Sequence, residues 1–416
     1  MVEKFWTPCH LIRKEISLFC DALRDFINRE VLPHEEEMDD YWDWTERKEH
    51  TFVEEIFRKL WIDLGLQKAF VPPQYGGIGD WSMVENAAVI IEVTRGDVGL
   101  GMTGFISQWA VASIMIPTPN DLVMKYVAER LLKNEPYIIC NAITEPHGGG
   151  AIEDVRLQGA QIRTTAYLDG DEWVINGHKL WPSAFREADA YLVVCRIEGE
   201  KFPNNIAQIF VPADTPGITT SKPYRKMGCS IDTNGDIWFD NVRVPKEYRL
   251  HEGIDEVKSL IAKETIGRCV NCAFAVGVLR RMYEVLKSYV DKREIAGRPM
   301  KEHGLIAYEL GQVLTDMQVA EYTTWYAFER LDHPETYGSL WDYGQFSMAG
   351  LCQNIVTERA EQAISRAINL MGSHGYAKEG KMEKLLRDVK VTQIVVGGPL
   401  LRLLEAVRHY FGTETI

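Results

Sequence analysis

The sequence predicts an α+β chain in three parts: an N-terminal helical domain, a middle β domain and a C-terminal helical bundle. Three observations carry this. Apolar residues recur at helical spacing, with breaks, to about residue 135. From 137 to 244 the texture changes to short runs rich in β-branched and aromatic residues, separated by Gly, Pro, Asp and Asn. After Pro245 long helical patterns return.

In chain order, Ile12, Ile16, Phe19, Leu23 and Phe26 step by threes and fours, with Val31 following, which predicts an amphipathic helix over 12–32. Similar patterns follow, interrupted by stretches such as "VPPQYGGIGD". The runs "QIRTTAYL", "EWVINGH", "AYLVVCRI", "IAQIFVPA" and "DIWFDNVRV" predict strands. No helices intervene between them, so an antiparallel sheet is expected. The segments 255–293, 303–332 and 340–371 are each long enough for a bundle helix, with a shorter one over 399–411. Domain boundaries are expected at 1–136, 137–246 and 247–416.

Across 416 residues, 60 acidic against 46 basic side chains leave a net charge of −14 and a pI near 5.3. Nucleic acid and anionic membrane both attract basic surfaces, so neither is expected as a partner. No run of apolar residues long enough to cross a bilayer is evident, and the N-terminal stretch mixes charge with apolar residues. A cytoplasmic protein without membrane insertion is expected. Of eight cysteines, Cys269 and Cys272 form a lone CxxC on an apolar helical stretch. Core packing is expected there, and no metal site.

Four stretches carry candidate chemistry. "GLGMTG", Gly99 to Gly104, has the letters of a dinucleotide fingerprint. It follows a helical pattern rather than a strand, so close packing of small residues is the better reading. "NAITEPHGGG", 141–150, ends a β-rich run, turns at Pro146 and offers three glycines, which let backbone N–H groups approach a phosphate or a ring. "NGHKLWPSA", 176–184, puts a small hydroxyl residue after Trp181. "TQIVVGGPLLRL", 392–403, is a glycine-bent apolar corner with one charge, Arg402.

Taken together, "FVPPQYGGIG", "ITEP", "WVINGHKLWPS", "VPADTPGI", "DIWFDNVRVP", "KREIAGRPMKEH", "INLMGSHGY" and "LLRDVKVTQIVVGG" resemble the acyl-CoA dehydrogenase family of flavoproteins over nearly the full length. The resemblance implies a helical domain, a β domain and a C-terminal four-helix bundle. It also implies FAD as cofactor, an acyl-CoA substrate, an electron-transferring flavoprotein as oxidant, and a homotetramer. By position, Ile143, Thr144, Gly149, Gly150, Trp181 and Ser183 would face the flavin. Arg293 would reach the FAD pyrophosphate of a neighbouring subunit, and Met371 and Gly372 would pass near the adenine. Arg268 and Gly397 would lie on the substrate side.

The same resemblance exposes a departure. Relatives carry a glutamate base either before the glycine matching Gly397 or before the arginine matching Arg268. Here those residues are Val396 and Gly267. Val396 can offer only its backbone N–H to a thioester oxygen. Further departures are "HGGGAIEDV" with extra residues after "TEP", Ala296, Gly304, and the run Gly398, Pro399 and Leu400. The extra segment is expected to reshape the flavin or partner surface, and Gly101, Gly267 and Gly304 to leave room for a cyclic or bulky acyl group.

Three readings of the vacancy follow. In the first, Asp97 serves as the base, with Glu264 a weaker alternative. In the second, loss of CO₂ or sulfinate makes a base unnecessary, with Arg268, Arg298 or Lys222 holding the leaving group. In the third, the chain is a base-less member of a mixed tetramer with a homologue.

Overall fold

The computed structural model describes residues 7–40 and 51–414; the remaining residues of the predicted helical third, 1–6 and 41–50, lie outside it. Helix α1 (Lys14–Phe26) buries Ile16, Cys20, Leu23 and Phe26, the face its periodicity marks. It continues as one π turn, Ile27–Val31. Helix α2 (Met83–Gly96) opens with a capping box: Ser82 accepts from Glu85 N, while the Glu85 carboxylate accepts from Ser82 N. Helices α3 (Val98–Met115) and α4 (Asp121–Leu131) complete the helical third.

Helix α3 is long and apolar enough to span a bilayer, contrary to the sequence expectation, but most of it is buried as a core helix. The "GLGMTG" segment lies in its first turns. A methyl on Gly104 would strike the Trp61 indole and one on Gly101 would strike Thr94, so these glycines let helices approach closely.

The middle domain is one seven-stranded sheet: β1 (Ile139–Ala142), β2 (Thr165–Asp169), β3 (Glu172–Ser183), β4 (Ala190–Ile197), β5 (Ile206–Pro212), β6 (Ile218–Thr220) and β7 (Asn234–Pro245). The order is β1-β4-β2-β3-β7-β6, with β5 also on β4. Most pairs are antiparallel, but β1 and β2 both run parallel to β4. The sheet is therefore mixed. The chain passes from β2 to its parallel partner β4 through β3, and from β1 to β4 through β2 and β3, so neither parallel pair is joined by a long helix.

Helix α5 (Ile254–Lys292) is the spine of the molecule; its 39 residues run about 58 Å at the helical rise. It packs on α2 and α3 at one end of its circumference and on α6 (Gly304–Asp332), α7 (Tyr343–Met371) and α8 (Met382–Ile394) elsewhere. A final helix, α9 (Gly398–Phe411), lies against α7. Cys269 and Cys272 are buried on α5. A continuous core of buried side chains joins all three parts.

Candidate functional site

A cavity of about 730 Å³ opens where the three parts meet. The sheet contributes Ile143, Thr144, Trp181 and Ser183; α3 contributes Met102, Phe105 and Trp109; α5 contributes Gly267 and Phe274. The turn between α8 and α9 closes it with Val396, Gly397 and Gly398.

Local sequence explains how the sheet side is shaped. The register of β3 on β7 slips between Leu180 and Ser183, and Trp181 sits in the slip with φ +68°. A bulge re-aims a side chain. Here it turns the indole out of the sheet, 52% exposed, with its ring 4.6 Å from Tyr224. Thr144 is locked beside it, since its carbonyl accepts from Leu180 N at 3.0 Å. Lys179, fully buried, donates to the Ile143 carbonyl at 2.8 Å and pairs with Glu145 at 2.7 Å. The Ser183 hydroxyl donates to buried Asp232 at 3.0 Å. Burial pushes the Asp232 carboxyl above its usual range, partly offset by Lys226.

The opposite wall is strained. Val396, Gly397 and Gly398 have φ of +57°, +87° and +68°. A β-branched residue in the left-handed region is disfavoured by its own Cβ and persists only where its surroundings impose it. Buried Arg402 imposes it, donating to the carbonyls of Gln393, Val395 and Val396 at 2.6, 2.8 and 3.1 Å. The single charge in the apolar corner thus holds the corner in shape from behind. Gly267, the other position where a base would stand, is closed off: a methyl there would lie 3.0 Å from three atoms of the Trp109 indole.

The predicted base is not in the cavity. Asp97 is a buried N-cap of α3, accepting from Leu100 N at 3.0 Å, and pairs with Lys384 at 2.9 Å. Both its oxygens are engaged in holding α3 to α8, and it is not among the cavity-lining residues. Gly149, predicted with Gly150 to face the flavin, lies in the short turn Gly149–Ile152 and is not among the cavity-lining residues either. Arg268 is fully buried one layer behind Gly397, ion-paired with Glu405 at 2.6 Å and donating to the Phe346 carbonyl. Arg293 and Met371 come together elsewhere, in a second cavity of about 490 Å³ with Tyr289, His374 and Lys381. Gly372, φ +60°, caps α7 beside Met371. Of the three small residues expected to widen the pocket, only Gly267 lines it; nothing lies within 4 Å of a methyl on Gly304.

Among the cavity residues that the sequence reading missed, one carries an acid with an unmet hydrogen-bonding oxygen. Glu153, from the segment that follows "HGGG", lines the cavity at 6% exposure, and its Oε2 is buried without a hydrogen-bond partner. Behind it stands Glu264, with neither carboxylate oxygen partnered. The signal was present as "AIEDV", two acids between apolar residues in a segment that departs from the family pattern.

A flavin fits this chemistry. An outward-turned indole, a threonine, a serine held by a carboxylate and an apolar floor suit a flat heterocycle with polar edges. The arrangement defines a three-domain redox protein whose cofactor site is built from the middle sheet. The N-terminal, middle and C-terminal domains of acyl-CoA dehydrogenase match residues 13–128, 140–242 and 257–399, and the chain belongs to the acyl-CoA dehydrogenase family, FAD-dependent oxidoreductases. It is 26% identical to a probable acyl-CoA dehydrogenase of Bacillus subtilis (strain 168), covering 96% of this chain and 98% of that one. It is 25% identical to the cyclohexane-1-carbonyl-CoA dehydrogenase of Syntrophus aciditrophicus (strain SB), covering 95% and 96%. Butyryl-CoA dehydrogenase from Megasphaera elsdenii shares the fold with a TM-score of 0.83 at 21% identity, covering 96% of this chain and 99% of that one.

Proposed function

We propose that the protein oxidises the CH–CH group of an acyl-CoA thioester with a bulky or cyclic acyl group. The observation that carries this is one apolar cavity holding both the Trp181–Ser183 bulge and the strained Val396–Gly397 turn. FAD, when bound, supplies the hydride acceptor. Thr144, Trp181 and Ser183 hold its ring system, and the backbone N–H groups of the turn polarise the thioester oxygen, as preorganised donors do for developing negative charge. The walls formed by Met102, Phe105, Trp109 and Phe274 exclude water and favour hydrocarbon over polar acyl groups.

Arg293 and Met371 lie in a cavity of their own, which is the arrangement expected if FAD is shared between subunits of a homotetramer. An electron-transferring flavoprotein is the proposed oxidant. Of the cations named for the base-free decarboxylating reading, Arg298 and Lys222 are exposed and do not line the cavity, and Arg268 is paired with Glu405; Arg225, Lys226, Arg387 and Lys390 do line it.

The test is anaerobic mixing of the FAD-loaded protein with cyclohexane-1-carbonyl-CoA and with butyryl-CoA. Bleaching of the flavin band is expected, faster with the cyclic thioester. A protein that binds no FAD, or a flavin that no saturated thioester bleaches, overturns the reading.

A further inference from the structure

The family resemblance implies a base on the α8–α9 turn or on helix α5; here the first position holds Val396, whose side chain accepts no proton, and the second is Gly267, packed against Trp109. The cavity still contains one carboxylate with an unsatisfied oxygen. A methyl group built on Gly397 would sit 3.3 Å from Arg268 Nη2 and 3.4 Å from Glu153 Oε2, so this oxygen lies against the residue next to the vacated position. It does so without any hydrogen bond to quench it.

The segment that carries it is built rather than loose. Ile152, Val155 and Ile162 pack with Ile143, Leu260 and Phe346 in a second buried cluster. The neighbouring Asp154 caps the turn Val155–Leu157 and pairs with Arg408 of α9 at 2.7 Å, both side chains buried. This ion pair ties the segment to the helix that begins at the strained turn, and so fixes Glu153 relative to Val396 and Gly397.

Resting on the dehydrogenase reading above, we infer that Glu153 is the catalytic base that removes the α-proton. The α C–H bond breaks as an O–H bond forms on Glu153. The electron pair stays on the α-carbon, spread into the thioester carbonyl, and becomes the new C=C π bond as the β-hydrogen leaves as hydride to the flavin. The charged groups around Glu153 include Lys263, Glu264 and Arg268 on α5 and Arg402 and Glu405 on α9. Burial, then Glu264, push its carboxyl well above the usual range, opposed by Arg268. A base poised upward is better matched to an α-carbon acid than an ordinary surface glutamate.

The experiment separates proton transfer from turnover. A 3-thia-acyl-CoA has acidic α-protons but no β-hydrogen to lose, so its α-exchange in D₂O, followed by NMR on the FAD-loaded protein, reports the base alone. Wild type is expected to exchange, at a rate that rises with pH through a midpoint above the ordinary carboxylate range. Glu153→Gln should lose on the order of 10²–10⁴-fold in exchange with its flavin spectrum and melting temperature retained. Adding Val396→Glu to Glu153→Gln should restore exchange by returning a carboxylate to the family's position. Asp97→Asn should exchange like wild type. If Glu153→Gln fails to hold FAD, Glu153→Asp serves: slowed exchange in a loaded protein supports the inference, and wild-type exchange overturns it. Unchanged exchange in loaded Glu153→Gln overturns the inference alone. A wild-type protein that holds no FAD, or exchanges no α-proton, overturns the dehydrogenase reading and this inference with it.

Discussion

Asp97 and Glu153 are both carboxylates buried at 5–6% exposure on the shell of one site, and they are built for opposite purposes. Asp97 is satisfied by a helix N-terminus and by Lys384, which also reaches Asp388 at 2.5 Å. Glu153 faces an apolar cavity with an oxygen that has no partner. A buried polar group without a partner costs about 1–3 kcal/mol, so such a group persists where function holds it in place. Burial alone therefore does not mark a catalytic acid; unmet hydrogen-bonding capacity toward a cavity does.

The contrast is sharpest in stability. Lys384→Met should cost the most, about 3–5 kcal/mol, because it strands Asp97 and Asp388 together in the interior. Asp97→Asn should cost less, about 1–3 kcal/mol, since Lys384 keeps Asp388 while the α3 cap is weakened. Glu153→Gln should leave thermal stability unchanged or raise it, because it removes an unpaired buried acid. Chemical denaturation of the three apo-variants checks the order. A strongly destabilised Glu153→Gln beside an indifferent Asp97→Asn would reverse the assignment of roles.

The pH dependence of stability probes the groups behind Glu153. Burial raises the Glu264 carboxyl from 4.5 to about 7, against the pull of Lys263 and Arg268. Its folded pKa lies above the unfolded one, so its contribution is full below about 4.5 and is lost as pH rises toward 7. Glu256, also raised to about 7 by burial, adds a slope of the same sign. Apo-protein stability should therefore fall between pH 5 and 7 for these two groups, and Glu264→Gln should flatten that fall by on the order of 1–3 kcal/mol. Denaturant midpoints across this range decide it; an unaltered slope in Glu264→Gln would mean that Glu264 titrates normally.

How much of this was legible in the sequence follows from which interactions are local. Helix periods and strand runs are local, and the helices Ile254–Lys292, Gly304–Asp332 and Tyr343–Met371 fall within a few residues of the patterns that predict them. The parallel pairing of β1 and β2 with β4 is not local, and the absence of intervening helices misled the antiparallel expectation. At the site, Thr144, Trp181, Ser183, Val396 and Gly397 converge as family resemblance implies. Asp97 failed because sequence position near a pocket says nothing about Lys384, 287 residues away, that neutralises it. Glu153 was passed over because an inserted segment has no counterpart against which to read it. Only the Asp154–Arg408 pair and the packing of Ile152 and Val155 reveal where it points.

The smallest effect tests the closure of the second base position. Gly267→Ala places a methyl 3.0 Å from the Trp109 indole, and overpacking of this kind costs about 1–3 kcal/mol. The same change removes a glycine from the interior of α5, which returns about 1 kcal/mol of helix propensity. The net change should therefore be under about 2 kcal/mol. The two contributions are separable, because only the first involves Trp109. Trp109→Phe removes the Nε1, Cε2 and Cζ2 edge of the indole that lies against Gly267, so Gly267→Ala measured in that background should lose most of its penalty and show the propensity gain. The coupling expected from the cycle is about 0.5–1 kcal/mol, typical of residues in contact. Additivity of the two substitutions would mean that the indole yields freely at Gly267, and that the position is empty by composition rather than closed by packing.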